Sequence, residues 1–182
     1  MRIKNLSLLY RDLIHEVNLD LGLYIESINV NKVESSVLRN YNHGISWKYQ
    51  TVEKDLLEIK LMEKEKRILA YPSPDMKYMV VLFDRNSQYH PHPNNLVVFY
   101  ANGEEKQVVK VPELISDRAI KNSNNPFGVD KEGSFENIWW HKKENEKKMA
   151  VDIHFAWENT ETREFDPETG QFGSLISVSG RF

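Results

Sequence analysis

Apolar residues recur at every second position along much of this chain, and that period leaves little choice of fold. Val17, Leu19, Leu21, Leu23 and Ile25 share one side, with Asn18, Asp20 and Glu26 on the other. Ile45, Trp47 and Tyr49 repeat the pattern against Ser46, Lys48 and Gln50. Val151, Ile153, Phe155 and Trp157 repeat it again, with Asp152, His154 and Glu158 opposite. Successive side chains of a strand point to opposite faces, so each run reads as a half-buried strand. Two further runs, 79–83 and 96–100, are apolar on both faces and mark central strands.

Turn residues separate the runs. Asn102-Gly103 is a hairpin signal, and "DPETG" (166–170) places Pro167 and Gly170 as a turn needs them. Residues 52–69 alternate at Leu57, Ile59 and Leu61 but are rich in helix formers. Two strands joined near 63–66 are the preferred expectation, and one helix is the alternative. Residues 112–128 read as a short helical turn followed by a loop, with 122–128 its most mobile stretch. The expected fold is mostly β, with antiparallel sheets in a sandwich-like or small propeller-like arrangement and short helical segments. A single domain over 1–182 is expected, with two β subregions divided near 116–134.

The 182 residues can bury a core, and 40% of them are hydrophobic. With no cysteine, disulfides, thiol nucleophiles and Cys-based zinc sites are ruled out. The apolar run at 6–10 is too short for a signal segment, and no stretch approaches the roughly 18 apolar residues of a membrane span. The expectation is a soluble cytoplasmic protein that engages no membrane. Residues 1–112 hold 15 Lys+Arg and 14 Asp+Glu, a net of +1, whereas residues 113–182 hold 9 and 13, a net of −4. A nucleic-acid binder needs a basic stripe to neutralise phosphates, so none is expected here. An acidic region suits a basic partner, although a solvated strand face is the preferred reading of the charges alone.

A repeat also runs through the chain. Residues 75–85 followed by 95–109 match 146–158 followed by 162–175: apolar strand, loop, strand, tight turn, strand. Within the first unit, Ser73, Pro74, Asp75, Lys77, Asp84, Arg85, Ala101, Asn102 and Gly103 stand where TolB-type β-propeller repeats carry such residues, so residues 71–109 resemble one unit of that family. Met76 replaces the family's turn glycine, which implies a different or more strained turn. Only two units are legible and a propeller needs about four blades, so blade-like hairpins in a sheet or sandwich are expected instead of a closed ring.

Three groups of residues are candidates for function. His90 and His92, in "HPHP", sit two apart and would share a side of an extended segment, as a metal pair would. A metal site needs further ligands that nothing nearby supplies, so a stiff loop is the preferred reading and no metal or cofactor is expected. Trp139 and Trp140 are adjacent and face opposite ways in a strand: either one packs in the core and the other serves an interface, or both are buried between layers. The acidic hairpin carries Glu158, Glu161, Glu164 and Asp166. Glu161 with Asp166, or Glu164 with Glu168, would be the pairs for acid–base chemistry.

The chain has no phosphate-binding glycine loop, no His-Glu-x-x-His and no Gly-x-Ser-x-Gly elbow. In general character it resembles the immunity proteins of bacterial toxin systems, small acidic domains that cover a basic toxin. The leading expectation is therefore non-enzymatic protein binding. Glu158, Glu161, Glu164 and Asp166 would form the contact, with Trp139 or Trp140 as anchor. Catalytic groups are assembled in space, so a carboxylate-dependent hydrolase or carbohydrate-acting enzyme is one alternative. A structural homo-oligomeric subunit joined at a sheet edge is the other.

Overall fold

A strand that is apolar on both faces needs a layer on each side, and the chain supplies both. The computed structural model describes residues 1–10, 14–17, 19, 42–63, 66–125, 132–156 and 158–180. These form three antiparallel four-stranded sheets. The first sheet has the order β2-β1-β3-β4, from β1 (Arg2–Leu9), β2 (Ile14–Val17), β3 (Gly44–Gln50) and β4 (Leu56–Met62). The second is the meander β5 (Ile68–Pro72), β6 (Tyr78–Phe83), β7 (Leu96–Tyr100) and β8 (Glu105–Val109). After the helix α1 (Asp117–Ser123), a third sheet repeats the meander with β9 (Ser134–Lys143), β10 (Glu146–Phe155), β11 (Asn159–Asp166) and β12 (Gln171–Ser179). The repeat read in the sequence falls on β6–β8 and β10–β12.

The second sheet is the middle layer. On one face, Met79, Val81, Phe83, Val97 and Phe99 pack with Leu6, Leu8, Ile45 and Trp47 of the first sheet. On the other, Val80, Leu82, Leu96 and Val98 pack with Ile138, Trp140, Met149, Val151 and Ile153 of the third. The register puts Met79 opposite Phe99 and Val80 opposite Val98, so each face is continuous across β6 and β7. Trp47 is buried, and its Nε1 donates to the Ala101 carbonyl at 2.8 Å, which satisfies the indole donor and ties the first two sheets.

Residues 52–69 form two strands, β4 and β5, and not a helix. Alternation outweighs propensity there because Ile59 and Leu61 pack on the first core. In the run 17–25, Val17 closes β2 and Leu19 reaches both cores. The other residues of that run, Trp157, and part of the 122–128 loop lie outside the described residues. The short helix expected in 112–128 is α1, with Ser116 as N-cap accepting from Ala119 N. No helix among the described residues is long and apolar enough to cross a membrane.

The Ser-Pro-Asp turn between β5 and β6 is held by its own side chains. Ser73 Oγ accepts from Lys77 N (3.1 Å) and Tyr78 N (3.0 Å) and donates to Asp75 Oδ1 (2.6 Å). Met76 takes φ +62°, the left-handed region that favours glycine. Its side chain packs against both cores and its carbonyl accepts from Ile3 N at 2.8 Å. Packing and backbone strain therefore oppose each other at this residue. Met76→Gly and Met76→Ala lose the same contacts, but only glycine relieves the strain. Glycine should be the more stable variant by about 1 kcal/mol in denaturant unfolding. Equal stabilities would mean that the turn is unstrained.

Candidate functional site

The outer face of the third sheet is built by strand parity. Trp140 points inward; it is buried, and its Nε1 donates to the Pro72 carbonyl at 2.9 Å. Asn137, Trp139, His141 and Lys143 therefore point outward from β9, as do Ala150, Asp152 and His154 from β10 and Thr160, Thr162 and Glu164 from β11. The β9–β10 turn fixes this register. Glu144 and Asn145 have φ +51° and +68°, the geometry of a two-residue hairpin turn, and Lys143 pairs with Glu146. Trp139 then lies opposite Ala150, which in turn lies opposite Glu164.

Asp152 organises the face. Its carboxylate accepts from Trp139 Nε1 (3.2 Å), Thr162 Oγ1 (2.8 Å) and Asn137 Nδ2 (3.3 Å). The half-buried Trp139 ring is thereby pinned to the sheet, with His141 edge-on at 6.0 Å. Glu164 binds Lys143 Nζ at 2.5 Å, and that ammonium holds the carboxyl below the usual glutamate value. Ala150 contributes only a methyl group between Trp139 and Glu164.

Trp139 and Glu164 are thus brought together on this face. Glu158 and Asp166 are exposed at either end of β11, and Asp166 also caps the turn by accepting from Glu168 N (2.9 Å) and Thr169 Oγ1 (2.8 Å). Glu161 and Trp140 do not join them. Glu161 is 0% exposed, so as a contact residue it is corrected: the acids of the hairpin do not form one surface, because position 161 has the inward parity. Its carboxylate accepts from Ser116 N (2.9 Å) and Ile115 N (3.1 Å) ahead of α1 and pairs with Arg163 Nη1 (3.3 Å). Arg163 Nε donates to the Gly173 carbonyl at 2.9 Å. This buried pair fastens the 113–116 strap and α1 to the third sheet.

The sequence reading missed Asn137, Asp152 and Thr162 as a group. Their signal was parity with Trp139, legible only once the 144–145 turn sets the register.

A cleft of about 410 Å³ lies between the Ser-Pro-Asp turn and the hairpin, lined by Asp75, Tyr78, Lys148, Glu164, Asp166 and Glu168 among others. Glu164 and Glu168 share it, yet a general acid needs a raised pKa and Glu164 is shifted the other way. The histidine pair separates. His90 Nε2 lies 3.5 Å from Glu105 and its ring 4.9 Å from that of Phe83, whereas His92 Nδ1 is buried without a hydrogen-bond partner. Ser87, bonded to the buried Glu63, accepts from Tyr89 N and His90 N and so holds the loop in place. Among the described residues no three His, Asp or Glu side chains gather to hold a metal.

No family model matches the sequence, and neither the curated proteins nor the solved structures give a significant match.

Two measurements check this geometry. Glu161→Ala leaves Arg163 buried and unpaired and should cost about 3 kcal/mol or more, against less than about 1 kcal/mol for Glu164→Ala. Similar costs in urea unfolding would contradict the buried pair. Burial, aided by the Arg85 charge, lowers the His92 pKa below the usual histidine value. Its contribution to stability is complete above the unfolded value and is lost as pH falls through the folded one. An NMR titration should find the His92 midpoint below that of a model histidine peptide; an equal or higher midpoint would contradict the burial.

Proposed function

We propose that the chain is a protein-binding module that uses the outer face of the third sheet, with Trp139 as its apolar anchor. One observation carries the reading: a large aromatic ring, fixed by Asp152, stands on an otherwise polar sheet face. A ring ordered before binding loses little conformational entropy on contact, and tryptophan is among the residues enriched as interface anchors. The exposed carboxylates of Glu158, Asp166 and Glu168 favour a basic partner, and the finer reading is an immunity protein that covers the basic groove of a toxin domain. Lys143 and Lys148 place cations among those acids, so the ring more than the net charge sets the contact.

The test is capture from the native host's lysate with the tagged chain and with Trp139→Ala as baits. The wild type should retain one stoichiometric basic protein through a salt wash. Trp139→Ala should weaken that complex about tenfold or more while its circular dichroism is unchanged. Glu158→Lys with Glu168→Lys should slow association at low salt. Equal retention by Trp139→Ala would overturn the anchor.

A further inference from the structure

The strand β4 is an edge with an unusual composition. It pairs with β3 alone, and nothing among the described residues pairs with its other side. Leu56 is 55% exposed, Leu57 47% and Met62 55%. Edge strands are ordinarily blunted by charge, proline or cover, because an open row of N–H and C=O groups is a template for another strand. Here Glu58 and Lys60 are the only charges, and they are of opposite sign.

The hydrogen-bond phase of this edge is fixed at both ends. Thr51 N donates to the Asp55 carbonyl (2.9 Å), and Glu63 N donates to the His43 carbonyl (2.5 Å). In an antiparallel pair, bonded and non-bonded residues alternate. The odd-numbered residues from 55 to 63 therefore bond inward to β3, and Leu56, Glu58, Lys60 and Met62 turn their backbone groups to the open side.

Laid antiparallel on itself, "LLEIKLM" is complementary about Ile59. Leu56 meets Met62, Leu57 meets Leu61, and Glu58 meets Lys60, each pair occurring twice by symmetry. The outward backbone groups of Leu56, Glu58, Lys60 and Met62 are then the ones that bond. Slipping the register while keeping this phase centres the pair on Glu58 or on Lys60 and sets like charges opposite each other. Like charges directly opposed in a sheet are destabilising.

We propose that β4 pairs antiparallel with β4 of a second copy of this chain, centred on Ile59, with the Glu58 and Lys60 charges selecting that register. The contact is isologous, as closed two-fold dimers require. It extends the first sheet across the two-fold axis and covers Leu56, Leu57 and Met62. A seven-residue seam is a small interface, so dissociation is expected in the micromolar range.

Sedimentation equilibrium from about 1 to 300 μM tests this. The wild type should move from the 21.4 kDa monomer to twice that mass. Glu58→Lys alone and Lys60→Glu alone should each weaken self-association about tenfold or more at low salt. An equimolar mixture of the two single variants should associate again, because every opposed pair is then of opposite sign. The double variant, Glu58→Lys with Lys60→Glu, should also recover. These side chains are exposed, so circular dichroism should be unchanged throughout. A wild type that stays monomeric at 300 μM would overturn the proposal and leave the two charges as guards of the edge. A dimer indifferent to the single substitutions would overturn it too, by placing the contact elsewhere.

Discussion

The central strands of the middle sheet, β6 and β7, turn neither face to solvent, and the rest of the molecule is arranged around that condition. β6 and β7 alternate between two cores and bury apolar side chains in both directions. Neither core could close with two layers, because a second sheet left bare on one side would expose Val80, Leu82, Leu96 and Val98 to water. Each buried side chain of this size contributes roughly 1.5–3 kcal/mol through removal from water. The first and third sheets are therefore held chiefly by the same central strands. They are joined to it by directed bonds as well, among them Trp47 to Ala101 and Ile3 to Met76 on one side and Trp140 to Pro72 on the other.

The outer sheets then differ in what they leave uncovered. The third sheet surrounds Trp139 with polar outer side chains and locks them to one another through Asp152 and the Glu164–Lys143 pair. The buried ion pair Glu161–Arg163 lies on its inner side and serves the strap and α1. A buried pair costs desolvation of both ions, and here backbone N–H groups ahead of α1 and the Gly173 carbonyl compensate much of it. The first sheet leaves apolar side chains at an edge instead.

Much of the fold was legible because period two is a strong signal wherever one face is buried. β3 and β10 were read from alternation, β6 and β7 from its absence, and the 102–103 turn from Asn-Gly, whose Gly103 takes φ +86°. The site was less legible. Grouping Glu158, Glu161, Glu164 and Asp166 by charge ignored that 161 has the opposite parity, and parity decides burial in a strand. The Asp152 cluster depends on which residues β9 and β11 set beside β10. That follows from the Glu144-Asn145 turn and from the chain reversal after Phe155, where Ala156 takes φ +45°, and neither carries the glycine that usually announces such a turn. The histidine pair failed for a related reason. Spacing two apart implies a shared side only in an extended segment, and Ser87 and Glu63 fold this loop back on itself.

The two uncovered regions have chemistries that suit different contacts. If the third sheet's face binds a partner as proposed, a pinned indole amid fixed polar groups would discriminate between partners, since a wrong surface leaves those groups unpaired. In the proposed dimer the β4 edge pairs through backbone bonds that any strand could offer, and its charges, complementary to their own reversed order, fix the register. Because the Asp152 cluster is on the third sheet and the β4 edge is on the first, with the middle sheet between them, use of one need not cover the other. In a β4-paired dimer each copy keeps its own Trp139 face, and a partner that presents two copies of its epitope would gain from binding both. The layered core and the two contact chemistries are in this sense one design: sandwiching the apolar strands in the middle leaves a face at one end and an edge at the other.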